Sequence, residues 1–187
     1  MKQFPAILIL ITASSLLVGC ATTGKRPEEK RKIILAMKKE VLTDLYKIRP
    51  DVKKQIAAAP GYAVFSNANV NIIFFSVGGG YGVVYDKRRK KPVYMKMGEA
   101  GIGLGIGVKD FRAVFVFHNR AALKRFIDHG WTVGGHADAA AKASDKGVSV
   151  GGELVVDGIT VYSMTKTGLA LQITVKGTKY WKDPDLN

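Results

Sequence analysis

Three short stretches of this 187-residue chain have residue types and spacings that could do chemistry. Gly147-Val148-Ser149-Val150-Gly151 fits G-x-S-x-G, the elbow that presents a nucleophilic serine on a strand–turn–helix in α/β-hydrolases. In that fold the histidine that takes the serine's proton follows it in the chain. His118, His129 and His136 all precede Ser149, and Val155-Val156 downstream continues a strand instead of opening a helix. Ser149 is therefore read as a serine on a strand, and a serine hydrolase is the remotest alternative. Gly19–Lys25 fits the G-x-x-x-x-G-K of a phosphate-binding loop, but Arg26 stands where a magnesium-binding hydroxyl is required.

The third stretch is GEAGIGLGIGV at 98–108. It contains no G-x-G-x-x-G: counted from Gly101 and Gly103 the last glycine falls on Ile106, and from Gly105 and Gly107 it falls on Asp110. The glycines alternate with Ile102, Leu104 and Ile106, which predicts a strand with one bare face, open to close approach by another layer. The histidines lie 11 and 7 residues apart, and H-E-x-x-H is absent. His136 with Asp138 is too small a set for a catalytic zinc. No catalytic residue, metal or cofactor is expected.

Cys20 is the only cysteine, so neither an internal disulfide nor a cysteine-built zinc site can form. Its chemistry lies elsewhere. Lys2 precedes an apolar run from Phe4 to Val18, and Leu17-Val18-Gly19-Cys20 ends that run. This is a processing segment. It resembles a bacterial lipobox, in which the cysteine thiol takes a thioether-linked lipid and becomes the first residue. The expected organisation is a lipoprotein signal peptide over 1–19, an acylated tether over 20–28 and one domain over 29–187. Ala21 follows the cysteine in place of Asp. By resemblance to lipoprotein sorting rules this predicts an outer-membrane lipoprotein facing the periplasm.

The remaining signal is charge. Formal net charge is +14, and loss of Lys2 with the signal leaves +13. Such a surface attracts anionic partners. In the cell envelope these are anionic phospholipids or a membrane surface before nucleic acid. Lys87, Arg88, Arg89, Lys90 and Lys91 are consecutive. At roughly 1 kcal/mol for each basic residue near an anionic bilayer, they supply about 5 kcal/mol at most. Lys30, Arg31, Lys32, Lys38 and Lys39 form a second basic candidate.

These residues need elements to hold them. Ile34, Met37, Val41, Leu45 and Ile48 make one helical stripe within 28–49. Pro50 starts a second helix, which continues the stripe through Val52 and Ile56. From Tyr62 the period is two. Strands are predicted at 62–66, 70–76 extended to 85, 92–97, 111–118, 131–136, 148–156, 159–164 and 169–175. Phe111, Ala113, Phe115 and Phe117 share one strand face. Asn119 caps a short helix whose inner residues are Ala122, Leu123, Phe126 and Ile127. Asp157-Gly158 and Thr167-Gly168 read as hairpin turns. No long helix separates the strands, so the sheet is expected to be mainly antiparallel.

The stretches AAAPGYAVFS at 57–66, VGGGYGVVY at 77–85, GIGLGIGVKDFRAVFVF at 101–117, TVGGHADAAA at 132–141 and VYSMTKTGLALQITVKGT at 161–178 together resemble the SYLF lipid-binding domain family. That resemblance implies a non-enzymatic domain that binds acidic lipids. It also implies a basic, amphipathic N-terminal region as the membrane contact, which corresponds here to the helix bearing Lys30, Arg31, Lys32, Lys38 and Lys39. The expected fold is α+β: a curved, mainly antiparallel or barrel-like sheet covered by N-terminal amphipathic helices. The alternative function is an envelope structural or interaction protein that meets an anionic polymer, a glycolipid or a protein.

Overall fold

The computed structural model describes residues 26–72, 75–102, 107–133, 149–150, 153–165, 168–169 and 176–187. Helix α1 spans Pro27–Ile48. Pro27 suits the first helical turn, and Glu28 and Glu29 complement the N-terminal dipole. Helix α2 spans Asp51–Ala58 with Pro50 at its N-cap. The stripe buries Ile34, Met37, Val41 and Leu45, joined by Leu42, whereas Ile48 at the last helical position is 43% exposed.

The strands are β1 (Gly61–Ile72), β2 (Phe75–Asp86), β3 (Val93–Ile102), β4 (Gly107–Phe117), β5 (Trp131–Val133), β6 (Ser149–Val150), β7 (Glu153–Val156), β8 (Ile159–Thr165), β9 (Gly168–Leu169) and β10 (Lys176–Lys182). Helix α3 (Arg120–His129) lies between β4 and β5. The sheet order is β5-β10-β3-β2-β1-β4-β8-β7-β6, with β9 on β8. Every pairing among the described residues is antiparallel.

The strand period puts two apolar sets on opposite faces. Val64, Val83, Tyr94, Val114, Val116 and Tyr162 lie under α1 and α2. Ala63, Phe65, Val84, Met95, Phe115, Phe117 and Tyr180 enclose α3, which adds Ala122, Leu123, Phe126 and Ile127. Asn119 caps α3 through Oδ1, which accepts from the Ala122 N–H at 2.8 Å.

Ring contacts show how strongly the sheet bends. In a flat sheet β4 and β10, four steps apart, would be separated by about 19 Å. Yet the Phe115 and Tyr180 ring centroids lie 5.2 Å apart, and Phe115 and Trp131 of β5 lie 5.5 Å apart. The sheet curls around its second core into an incomplete barrel. Among the described residues its end strands, β5 and β6, do not pair with each other.

Several elements differ from their sequence signals. The strand expected over 70–85 is divided: its start joins 62–66 in β1, its remainder is β2, and the two pair antiparallel from Ile72 and Phe75 without a glycine or asparagine between them. The glycine run is split: Gly98–Ile102 ends β3 and Gly107 opens β4, while 103–106 lie outside the described residues. Its bare face therefore does not belong to one strand. Gly98 lies on the opposite face from Gly101, and there the Trp181 ring covers it, 3.2 Å from where a Cβ would stand. The single strand expected over 148–156 is a hairpin of β6 and β7. Strand β10 was not signalled, because its short alternation of Thr178 and Tyr180 is broken by lysines. Most of the strand expected at 169–175 and the alanine-rich segment lie outside the described residues.

Candidate functional site

The basic turn, Lys87 to Lys91, joins β2 to β3, and all five residues are exposed. Its geometry is set by Asp86, whose side chain is only 7% exposed. Arg120 donates to both Asp86 carboxylate oxygens, at 2.6 and 3.1 Å, and the Arg88 N–H donates to Oδ1 at 2.9 Å. The bonds from Arg120 hold the Asp86 carboxyl below its ordinary range against the opposing effect of burial. Lys87 donates to the Ala57 carbonyl at the end of α2. Arg89 reaches Asp86 at 3.7 Å.

Asp86 is thus spent inside the protein, and the outward charge stays positive. Arg88, Lys90 and Lys91 have no acidic partner among the described residues. Lys53 and Lys54 are exposed on α2, one turn before Ala57. Lys124 is exposed one turn beyond Arg120 on α3. Two helices thereby extend the turn into one basic end of the sheet, of which the sequence signalled only 87–91. Lys53, Lys54 and Lys124 are isolated charges along the chain, and only the packing gathers them.

A folded-state carboxyl held below its unfolded value stabilises the fold above the unfolded pKa of about 3.9 and loses that contribution as pH falls through the depressed value. Asp86→Asn should therefore lower the melting temperature at neutral pH. The gap to the parent should narrow below about pH 4, where the parent carboxylate also protonates. Thermal melts at both pH values check this; a gap equally wide at low pH would discard the Asp86 linkage.

The helix residues divide. Arg31 donates from Nε and Nη2 to the Leu186 carbonyl at 3.0 and 2.9 Å and lies over the Tyr94 ring. Lys38 donates to the Tyr85 hydroxyl at 3.3 Å and sits 4.5 Å above its ring. These two fasten α1 to the sheet. Lys32 and Lys39 are exposed and Lys30 is half-buried. The apolar stripe of α1 is consumed by the core, so this helix can offer a membrane its charges but not its hydrophobic face.

Other chemical candidates find structural surroundings. Ser149 lies in a strand that pairs antiparallel with β7, without the helix an elbow requires. His118 Nε2 is 2.6 Å from the Thr160 hydroxyl. His129 lines a cleft of about 380 Å³ with Ala122, Arg125, Phe126, Gly130, Trp131, Asp157 and Ile159, which contains no serine, threonine or cysteine nucleophile. Tyr62 stacks on Tyr85 at 5.2 Å, and burial pushes its hydroxyl up to about 12, so it stays neutral. No metal-holding cluster occurs among the described residues. Cys20, His136 and Asp138 lie outside them.

One buried polar pair went unseen in the sequence. Asn67 and Glu99 are 3% and 8% exposed, and Asn67 Nδ2 donates to Glu99 Oε2 at 2.7 Å. They reach each other across β2 because Gly80 lies between; a Cβ there would stand 2.6 Å from that of Asn67. Their strands are separate in sequence, so spacing carries no signal for them.

A family model named Ysc84 and described as "Las17-binding protein actin regulator" matches residues 98–187. Residues 98–187 are thus similar to the Ysc84, or SYLF, family. The Ysc84 match begins within β3 and runs through β10. A further relative is Beta cell expansion factor A of Aeromonas veronii, 31% identical over 168 residues. That alignment covers 87% of this chain and 60% of the relative, and it is longer than the Ysc84 match, so the likeness reaches the N-terminal half. The SYLF resemblance seen in the sequence is borne out. The family is generally lipid-binding and is not known as enzymatic.

Proposed function

We propose that this chain is a membrane-anchored, non-enzymatic lipoprotein that binds anionic phospholipid through the basic end of its sheet. Lipid attached at Cys20 holds it to the envelope, at an outer membrane facing the periplasm. Anionic headgroups are drawn to Arg88, Lys90 and Lys91, with Lys53, Lys54 and Lys124 beside them and Lys30, Lys32 and Lys39 on α1 as a second footprint. The observation that carries the reading is the disposal of Asp86: the one carboxylate of the turn is bound by Arg120, leaving exposed cations without acidic partners. Likeness to a generally lipid-binding family supports lipid over other anions.

Headgroup attraction of this kind is screened by salt. The protein should co-sediment more with vesicles containing phosphatidylglycerol than with phosphatidylcholine alone, and the excess should fade as salt rises. Replacing Arg88, Lys90 and Lys91 by Glu should remove most of the excess, because at roughly 1 kcal/mol per basic residue three losses are worth about a hundredfold in affinity. Equal binding to both vesicle types at low salt would refute the charge mechanism. Retention on anionic envelope polymer without vesicle binding would favour an interaction protein instead.

A further inference from the structure

The end of the sheet opposite the basic turn has an inverted pattern. Strand register and the two-residue period assign its rows without reference to individual side-chain positions. On the face that α1 covers lower down, successive rows from β4 to β10 read Arg112, Ser66, Tyr81, Lys96 and Trp181; then Asp110, Ala68, Gly79, Gly98 and Lys179; then Val108, Val70, Val77, Ala100 and Gly177. Ile72, Phe75 and Ile102 follow. On the concave face the rows read Phe111, Asn67, Gly80, Met97 and Tyr180; then Lys109, Asn69, Gly78, Glu99 and Thr178; then Asn71, Ser76, Gly101 and Lys176 with Gly107. Asp110 and Lys179 stand on the flanking strands beside Ala68, Gly79 and Gly98; on β1, β2 and β3 the outer face becomes apolar and the inner face polar toward this end, the reverse of a sheet whose outer face meets water.

Where surroundings are described they agree. Val77 is 64% exposed, Ala100 is exposed, and a Cβ on Gly79 would meet nothing within 4 Å. Asn67 and Glu99 on the inner side are buried. Apolar-out and polar-in alternation is the pattern of strands whose outer solvent is lipid. The row just below the apolar ones holds Tyr81 and Trp181, and Lys179 stands beside Trp181, the residue types that settle at a membrane interface. Strands β1, β2 and β3 are laddered on both sides up to this end, so their backbone groups can leave water without loss.

Length decides how far such an end goes. A spanning strand needs about 9–11 residues. The outer apolar stretch runs from Ala68 to Ile72 on β1 and from Phe75 to Gly79 on β2. At about 3.3 Å per residue each arm reaches about 15 Å, one leaflet and not two. We infer that this end of the β1–β4 sheet enters the hydrocarbon of a single lipid leaflet, with Tyr81, Trp181 and Lys179 at headgroup level. The length of β2 beyond Tyr81 then holds the basic turn about 20 Å from that leaflet's interface side, where its charges would meet a second, opposing bilayer. The inference rests on lipid being the partner, but uses a different surface from the basic end.

The test uses the full chain with Cys20→Ser and one new thiol, Val77→Cys or Lys90→Cys, carrying an environment-sensitive fluorophore. On vesicles of phosphatidylcholine with phosphatidylglycerol, the label at 77 should shift to the blue and be quenched by bromine on the acyl chains. The label at 90 should remain open to aqueous iodide. The label reports position 77 itself, so attachment through the N-terminal segment does not imitate the result. Val77→Asp, at an exposed position, should keep the parent melting curve and bind at least about tenfold more weakly at about 1 M salt, where screening suppresses headgroup attraction. A label at 77 that stays in water on bound protein overturns insertion and leaves headgroup binding standing. Absence of vesicle binding at every salt concentration overturns both. Burial of the label without vesicles, through a second copy seen by light scattering or through another segment of the chain, overturns lipid as the occupant.

Discussion

Phe115→Ala should destabilise the protein by about 3–5 kcal/mol, the largest loss expected for any single core truncation here. Phe115 is 1% exposed and its ring touches Phe65, Phe126, Trp131 and Tyr180. Those partners come from β1, α3, β5 and β10, so this one ring joins the middle of the sheet order to one of its ends. Truncation removes the transfer energy of a phenyl group and leaves a cavity that cannot collapse, because the surrounding rings are fixed by a curled sheet. For a chain of this size the melting temperature should fall by roughly 6–20 °C. Calorimetry measures it directly. A loss below about 1 kcal/mol would mean that the sheet does not close around this ring.

Gly82→Ala should be a costly small-to-large change. A Cβ at Gly82 would stand 2.2 Å from Phe65 Cδ1 and 2.5 Å from the Val64 carbonyl oxygen. The ring could turn aside, but the carbonyl belongs to the neighbouring strand and cannot. Overpacking of this kind costs about 1–3 kcal/mol. Gly79→Ala on the same strand is the control: a Cβ there meets nothing within 4 Å. It should be neutral or gain a few tenths of a kcal/mol, since glycine weakens a strand interior. Denaturant titration of both variants should separate them clearly, and equal costs would show that the glycines of β2 serve no packing need. With Phe65→Leu in the background, part of the Gly82→Ala loss should be recovered, because contacting residues do not act additively.

These variants also show where the sequence was informative. The inward residues of α3 and the Phe115 face of β4 follow from local periodicity, and both were legible. The Asp157-Gly158 turn was legible too: φ is +51° and +76° there, which such residues tolerate best. The reversal after Ile72 was not. It carries no turn residue, and apolar strand sequence runs on through it. The glycines of β2 and β3 stood out, but their meaning depends on which strands adjoin them, and that pairing is non-local.

Function divided in the same way. Composition, the lipobox pattern and the absence of any histidine after Ser149 pointed to a basic, non-catalytic envelope protein, since these depend on residue types and chain order alone. The basic turn was visible because its five charges are consecutive. Which cations remain available was settled by folding. Arg31 and Lys38 go to fasten α1, and Asp86 goes to Arg120, because packing brings partners together from residues 31 and 186, 38 and 85, and 86 and 120. The inverted rows at the opposite end come from five strands aligned in register, and which face of each strand turns outward depends on that pairing. Short-range spacing fixes the face of each helix and strand, whereas the curl of the sheet, through contacts distant in the chain, decides what each face meets.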